Sequence, residues 1–286
     1  MATAVVGGVT LAYDDEGDGP GSPVVLVHGH PFDRSMWAPQ VAAAAAGRRV
    51  IAPDLRGYGA SEVLPGVTLL ETFARDIAAL MDHLDVPEAV VGGLSMGGQI
   101  VMEFQRLFPA RVTGLVLADT FPGAETEQGR RARDAMADRL LTEGMTGYAD
   151  EVLDRMIAPH NVAALPRVAE HVLRMMRGTA PDGAAAALRG RARRPDYGPV
   201  LAAVRVPTLI VVGREDVYTP VAEAEAMHAG VRGSRLVVVE GAGHLPNLER
   251  PRAFNDALLR FLEACDQAVV STSESEWRRS GGPGLA

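Results

Sequence analysis

The chain has 286 residues, of which 47% are hydrophobic and 31 are glycine, and its formal net charge is −8. This length and composition predict one large domain, or a core domain with an insertion, and exclude disorder over most of the chain. The acidic balance argues against nucleic acid or an anionic membrane surface as a partner. No apolar run approaches the ~20 residues that a membrane-spanning helix needs.

Targeting signals and reactive side chains narrow the class further. The N-terminus has no basic stretch of the kind that opens a signal peptide, so we expect a cytoplasmic protein. Cys265 is the one cysteine, which rules out an internal disulfide and a cysteine-rich metal site. The sequence contains no lysine, which excludes Schiff-base chemistry and a phosphate-binding P-loop lysine.

Short apolar runs alternate with longer helical patterns along most of the chain. The predicted strands are 9–13, 24–27, 49–52, 89–92, 114–118, 208–212 and 235–239, and helical patterns include 69–84, 96–108 and 251–264. Most of the strands are continuous apolar runs, which is typical of a parallel sheet with helices on both faces. The alternation therefore predicts a doubly wound α/β sheet.

The alternation stops between residues 122 and 198, where the periodicity is only helical. We interpret this stretch as a helical lid inserted between two strands of a core formed by 1–121 and 199–265. The basic run RGRARR at 189–194 is interpreted as a solvated helix end. The Ser- and Gly-rich tail, 266–286, is expected to be disordered.

The segment HGHP places His28 and His30 directly after the predicted strand 24–27. The pair predicts a metal site, an acid–base pair or a tight turn. Metal-dependent hydrolases built as (β/α)₈ barrels carry such a His-x-His pair, but their sites need three or four convergent ligands and often a modified lysine. The missing lysine and the helical stretch 122–198 argue against that class, so we expect no metal and no cofactor.

Gly93-Leu94-Ser95-Met96-Gly97 forms a G-x-S-x-G motif between a predicted strand and a predicted helix. In this context the motif predicts a nucleophilic serine on a sharp turn, Ser95. The main-chain amide of Met96, at the start of the helix, then points toward the place where an oxyanion would develop.

A serine nucleophile needs a base and an acid that orients the base. His244 follows the strand 235–239, and Asp216 follows the strand 208–212. The order Ser, Asp, His, each at the carboxyl end of a strand, is that of nucleophile-elbow enzymes. We therefore predict Ser95, Asp216 and His244 as the catalytic residues. The competing candidates for the acid are Asp119, after the strand 114–118, and Glu215, beside Asp216.

Five motifs in the right order make the chain resemble the α/β-hydrolase superfamily from about residue 9 to residue 264. They are HGHP (28–31), DLRGYGAS (54–61), GLSMGG (93–98), G-x-x-D-x-x-x-P (213–220) and GAGHLPNLERP (241–251). The resemblance implies an α/β-hydrolase fold with a mostly parallel, eight-stranded sheet and a helical lid. The lid phrase EGMTGYADEVLDRMIAP and the H-x-x-N-x-E-x-P ending are most similar to the serine hydrolases and esterases of the 3-oxoadipate enol-lactonase type.

The resemblance implies a hydrolase that cleaves a small-molecule ester or lactone through an acyl-enzyme on Ser95, with the amides of His30 and Met96 binding the oxyanion. A serine at this position argues against haloalkane dehalogenases and epoxide hydrolases, which use a carboxylate nucleophile. Enol-lactonases act on a substrate that bears a carboxylate. We therefore expect a contact from His30 and from an arginine near the lid, with Arg130 and Arg133 as first candidates. The further arginine candidates are Arg131, Arg193 and Arg194.

Other functions use the same machinery. Perhydrolysis, C–C bond hydrolysis and a biosynthetic acyl-transfer or cyclisation reaction stay open, because fold and triad serve each of them. A binding protein that resembles a hormone receptor, with a lidded pocket that retains a ligand, is the alternative outside enzymes. The sequence also leaves a homo-oligomer open.

Overall fold

A computed structural model describes residues 1–279 of the chain. The strands are β1 (Ala2–Val6), β2 (Val9–Val27), β3 (Arg48–Pro53), β4 (Ala89–Leu94), β5 (Val112–Ala118), β6 (Thr208–Gly213) and β7 (Arg235–Val239). They form one sheet in the order β1-β2-β4-β5-β6-β7, with β3 paired to β2. The pairs from the second half of β2 through β7 are parallel, so the carboxyl ends of these strands lie along one edge.

The central strands are apolar throughout because both of their faces are buried. In β5, Leu115 and Leu117 pack into one hydrophobic core, while Val116 and Ala118 pack into the other. Side chains alternate between the faces of a strand, so a continuous apolar run supplies both cores at once. The prediction of a mostly parallel α/β sheet with helices on both faces is confirmed.

The strand count differs from the eight that the resemblance implied: the described residues form seven. The predicted strands 9–13 and 24–27 belong to the single long strand β2. Its first half runs antiparallel to β3, with Tyr13 opposite Pro53. The pairing is irregular in the middle of β2, and the second half runs in the same direction as β3, with Val24 opposite Val50. The turn-rich stretch between the halves stays extended because it keeps pairing with β3. The other difference is β1, which the sequence analysis did not predict.

Helices cover both faces of the sheet. They are α1 (Ala38–Ala44), α2 (Leu70–His83), α3 (Met96–Leu107), α4 (Glu127–Glu143), α5 (Thr146–Met156), α6 (Pro159–Ala164), α7 (Pro166–Gly178), α8 (Pro181–Arg191), α9 (Gly198–Ala203), α10 (Val221–Gly230), α11 (Pro246–Glu249) and α12 (Pro251–Arg279). Helices α1, α11 and α12 pack together, whereas α3 packs on α2 and α9, and α9 on α10. Helices α4 to α8 lie between β5 and β6, within the stretch 122–198 that was predicted as the lid, and they are called the lid below.

Helix α8 of the lid lies directly against the core backbone. A Cβ atom on Gly183 would lie 2.0 Å from the carbonyl oxygen of Gly57, and one on Gly190 would lie 1.6 Å from that of Thr68. The amide of Thr68 also donates to the carbonyl of Ala186, at 3.0 Å. Only glycine permits backbones to approach this closely, so α8 is seated directly on the core loop between β3 and α2.

The expectation of a disordered tail from residue 266 is wrong as far as Arg279, because α12 continues to that residue. The sequence from 252 to 280 has no glycine or proline, and those are the residues that most strongly end a helix. Residues 280–286 lie outside the described part of the chain. Among the described residues, none of the helices is both long enough and apolar enough to cross a bilayer.

Candidate active site

Ser95 occupies a strained turn between β4 and α3. Its backbone has φ 58° and ψ −117°, a conformation that residues other than glycine rarely adopt. The turn is held by a hydrogen bond from the Ser95 amide to the carbonyl of Ala118, at 2.9 Å. A Cβ atom on Gly97 would lie 2.2 Å from the carbonyl oxygen of Val27, so the motif needs glycine there. This is the geometry that the G-x-S-x-G motif predicts.

His244 and Asp216 meet beside this turn. Nδ1 of His244 lies 2.8 Å from Oδ2 of Asp216, and both side chains are buried. The other oxygen of Asp216 accepts hydrogen bonds from the amides of Tyr218, at 2.8 Å, and Thr219, at 3.1 Å. Burial opposes ionisation of Asp216, but His244 and these amides together lower the pKa of Asp216. An ionised Asp216 makes Nδ1 of His244 a donor, which leaves Nε2 free to accept a proton.

Asp119, a competing candidate for the acid, lies next to this pair. Its Oδ1 accepts a hydrogen bond from the amide of Gly213, at 2.9 Å, and the carboxyl group is fully buried. Burial, and then the charge of Asp216, raise the pKa of Asp119 well above its ordinary value. Asp216, and not Asp119, holds the hydrogen bond to the histidine.

The two histidines of HGHP are both committed to local hydrogen bonds. Nε2 of His28 accepts from the amide of Leu55 at 2.9 Å, so its Nδ1 is protonated and donates to the carbonyl of Gly29 at 2.8 Å. Nδ1 of His30 lies 2.8 Å from the hydroxyl of Tyr58. Burial, and then Arg191 and Arg133, lower the pKa of His30 well below its ordinary value. This arrangement suits a structural turn better than a metal pair.

The HGHP turn lies directly against the serine. A Cβ atom on Gly29 would lie 2.9 Å from the carbonyl oxygen of Leu94 and 3.2 Å from Cβ of Ser95. The amide of Met96 belongs to the first turn of α3, where no intrahelical acceptor exists. Within the described part of the chain, neither this amide nor that of His30 donates a hydrogen bond. Two unpaired donors therefore flank Ser95.

A cavity of about 380 Å³ opens between the sheet edge and the lid. Ser95, His244 and the side chain of His30 form its floor. The lid contributes an apolar wall of Met136, Tyr148, Val152, Met156 and Leu188. A cavity of this size accommodates a small molecule, and its position outside the carboxyl ends of the strands is where ligands bind in such sheets.

Comparison with known proteins assigns the chain to a family. The model of a family described as "Alpha/beta hydrolase family" matches residues 24–257. The chain belongs to this family. The hydrolase is 29% identical to 3-oxoadipate enol-lactonase 2 of Acinetobacter baylyi, over 87% of its own length and 92% of that protein's.

Two solved structures resemble the hydrolase closely. A thermophilic esterase from Thermogutta terrifontis, solved with malate bound, is 37% identical with a TM-score of 0.89 and covers 93% of this chain and 98% of that one. The enol-lactonase from Burkholderia xenovorans LB400 is 30% identical with a TM-score of 0.85, and covers 92% of this chain and all of that one.

The arginines of the hydrolase are distributed differently from the sequence-based expectation. Arg133 lines the cavity, but Arg130 is exposed on α4 and does not line it. Among the further candidates, Arg131 is exposed beside Glu127 and Arg193 is exposed. Arg194 is buried against Glu125 and lies outside the cavity.

The sequence analysis missed Arg191 and Arg155, which both line the cavity. Arg191 is partly buried at the end of α8, and its Nε donates to Oε1 of Gln99, at 2.8 Å. Removal from solvent, and then Arg133 and Arg194, lower the pKa of Arg191 well below its ordinary value. Its helical spacing from Leu188, three residues earlier, is the signal that was available, because that spacing places both on one face of a helix.

Arg191 differs from Arg133 and Arg194 in having no counter-ion. Arg133 and Arg194 both pair with the carboxylate of Glu125. Among the described residues, Arg191 makes no ion pair, and its contact in α3 is the neutral amide of Gln99. The hydrolase therefore has a cation at the cavity wall that is not neutralised from within the described chain.

A second feature missed from the sequence is the buried carboxylate of Glu249. Its Oε2 accepts from the lid, at 2.8 Å from the amide of Ala158 and 2.7 Å from Nδ2 of Asn161. Its Oε1 accepts from the amides of Gly243, at 2.8 Å, and Leu245, at 3.3 Å, which flank the histidine of the active site. One carboxylate thus joins the lid to the loop that carries His244.

Proposed function

We propose that the protein is a serine hydrolase that cleaves a small carboxylic ester or lactone through an acyl-enzyme on Ser95. The observation that carries the proposal is the strained Ser95 turn at the floor of a cavity that it shares with His244, whose Nδ1 is bonded to Asp216. The esterase and enol-lactonase relatives support the same chemistry.

In the first half of the reaction, Nε2 of His244 takes the proton of the Ser95 hydroxyl as Oγ attacks the ester carbonyl. The negative charge that forms on the carbonyl oxygen is stabilised by the amides of His30 and Met96; removal of one such donor typically costs ~10²–10³ in rate. Collapse of this intermediate breaks the C–O bond, and the leaving alkoxide takes the proton from His244. With a lactone, the alcohol stays attached to the acyl group.

In the second half, a water molecule attacks the acyl-enzyme. His244 removes a proton from the water, and the same two amides stabilise the second oxyanion. The acid is released as Ser95 regains its proton from His244. Asp216 stays ionised throughout and holds the imidazole in the tautomer that each step needs.

Replacement of the nucleophile tests this mechanism directly. We expect Ser95→Ala to lower turnover of p-nitrophenyl esters by at least about a thousandfold with an unchanged circular dichroism spectrum, because a triad member is lost. Ser35→Ala, which removes a hydroxyl outside the cavity, is the matched control. Undiminished turnover by Ser95→Ala refutes the assignment, and retention of a ligand without turnover by the native protein favours the receptor-like alternative.

We further propose that the substrate carries a carboxylate and that Arg191 binds it. An unpaired, partly buried cation is unfavourable on its own, and a carboxylate ligand offsets that cost with charge-assisted hydrogen bonds. The name 3-oxoadipate enol-lactonase and the malate bound to the T. terrifontis esterase support an acidic ligand.

Substrate pairs separate binding of the carboxylate from the hydrolytic chemistry. Monomethyl esters of dicarboxylic acids are compared with methyl esters of monocarboxylic acids of the same length. Arg191→Met should reduce kcat/KM for the acidic ester by about ten- to a hundredfold, the value of one or two charged hydrogen bonds, and should spare the neutral ester. Arg189→Gln removes a charge from the same helix, paired with Asp138 at the surface, and is the control. An equal loss for both esters contradicts the proposal.

A further inference from the structure

Next to the triad lies a second buried carboxyl group that the proposed mechanism does not use. We propose that Asp119 is held as a neutral carboxylic acid whose Oδ2–H donates to the carboxylate of Asp216 and so orients the acid of the triad. Asp119 is then a positioning residue, since it acts through Asp216 and His244. This inference rests on the proposed function, because it assigns Asp119 a part in the same reaction.

The geometry leaves one atom of Asp119 without a partner. Asp119 is 1% exposed, and its Oδ1 accepts from the amide of Gly213. Its Oδ2 is buried and has no donor among the described residues. One carboxylate oxygen of Asp119, one of Asp216 and a ring nitrogen of His244 all lie within 4.8 Å of one another. Two buried carboxylates this close repel, and a single proton between them satisfies both.

The surroundings decide which of the two carboxyl groups carries the proton. Asp216 has three donors: the amides of Tyr218 and Thr219, and Nδ1 of His244. Asp119 has one, from Gly213. Carboxylates with more donors stay ionised, so the proton belongs to Asp119.

Charged groups near Asp119 act in the same direction. The charges that bear on it are those of Asp216 and, more weakly, Glu249, and both favour its neutral form. The one titratable group in the cluster that becomes cationic is His244, which is bonded to Asp216. Burial and the charge of Asp216 raise the pKa of Asp119 well above its ordinary value, and this favours the neutral form.

The backbone fixes Asp119 where this donation requires it. Asp119 follows β5 with φ 45°, a conformation that a residue with a Cβ rarely adopts. Its amide donates to the carbonyl of Val211, at 2.9 Å, and its carbonyl accepts from the hydroxyl of Thr219, at 3.1 Å. The backbone after β5, which carries Asp119, is therefore fixed against the backbone in and after β6, which carries Asp216. A hydrogen bond between the two carboxyl groups then sets the direction of the Asp216 carboxylate.

Two variants at this position separate a neutral donor from an ionised group. An asparagine offers the same carbonyl acceptor and an N–H donor in place of the O–H. Asp119→Asn should therefore keep at least about a third of kcat/KM, and the acid limb of its pH–rate profile should lie at the same pH as in the wild type. Asp119→Val removes the donor. Its kcat should fall about tenfold or more at nearly constant KM, the loss expected for a buried hydrogen bond to a charged group. The acid limb of its pH–rate profile should also move to higher pH, because an Asp216 carboxylate without the hydrogen bond from residue 119 stabilises protonated His244 more strongly.

An ionised Asp119 predicts a different profile. Asp119→Asn would then delete a negative charge within 4.8 Å of the imidazole. At an effective dielectric constant of about 20, the acid limb would fall by about 2.5 pH units. That result overturns the proposal.

Infrared spectroscopy reports the protonation state without turnover. The wild-type protein at pH 7 should show the C=O stretch of a protonated buried carboxyl group, and Asp119→Asn should lack it. Absence of this band in the wild type refutes the inference about Asp119 and leaves the Ser95 mechanism untouched. If Ser95→Ala keeps full turnover and so refutes the proposed mechanism, the infrared band still decides whether Asp119 is protonated.

Discussion

Glu249 offers a test of how the lid and the catalytic loop are held together. The substitution Glu249→Gln keeps the shape of the side chain but replaces one acceptor oxygen by an NH₂ group. Each oxygen of Glu249 faces two N–H donors, one pair from the lid and one pair beside His244. Whichever way the amide turns, its NH₂ group faces two donors, and two hydrogen bonds are lost.

The expected loss of stability follows from that number. A hydrogen bond to a charged group contributes roughly 1.5 kcal/mol or more, so two lost bonds cost about 3 kcal/mol. For a chain of 286 residues, an unfolding entropy of about 2.1 cal/mol/K per residue gives about 0.6 kcal/mol/K. The Tm should therefore fall by about 5 °C. Gly243 and Leu245 flank His244, so kcat should also fall when the amides of these two residues lose the Glu249 carboxylate as their acceptor.

Thermal unfolding by calorimetry and ester turnover below the transition measure the two effects. Glu263→Gln is the matched control, because Glu263 is exposed on α12. We expect its Tm and kcat to equal those of the wild-type protein. A Tm for Glu249→Gln within about 1 °C of the wild type would show that the buried carboxylate does not connect lid and loop as the hydrogen bonds indicate.

Three further predictions concern the turn at HGHP and the single thiol. His30→Ala should stay within about tenfold of wild-type kcat/KM because the main-chain amide remains, whereas His244→Ala should lose at least about a thousandfold; equal loss in both would contradict the amide role. Gly29→Ala should abolish most turnover, since its Cβ would lie 2.9 Å from the carbonyl oxygen of Leu94, and full activity would disprove the close approach. Burial raises the pKa of Cys265 to about 12, so a thiol reagent should label it only after denaturation.

The sequence was sufficient for the parts of the fold that depend on local pattern. Continuous apolar runs predicted the central strands, because strands buried on both faces have no polar side to alternate with. The long strand β2 was not predictable, because the stretch from Asp14 to Pro23 has the composition of a turn. Its extended form comes from pairing with β3, which is distant in sequence. The helical tail was missed because serine content was weighed above the lack of glycine and proline.

The site divides in the same way. Ser95, Asp216 and His244 were predictable as a group because each follows a strand, and parallel strands bring their carboxyl ends to one edge. Arg191 was not found because RGRARR was interpreted as a solvated helix end. In the structure, Arg189 faces the surface, but Arg191 turns into the cavity. Local charge density does not reveal which side of a helix faces a cavity. Two of the four donors to Glu249 come from Ala158 and Asn161 in the lid, 91 and 88 positions away, and no local signal predicts them.

The seating of α8 on the core has a consequence for substrate choice. Gly183 and Gly190 fix this helix against core backbone, so the guanidinium of Arg191 lies at a set span from the Ser95 hydroxyl. Under the proposed function, the two ends of the substrate are held by parts of the protein that do not move relative to each other. The pocket then selects substrates by length, and a series of dicarboxylic monoesters should show one preferred chain length.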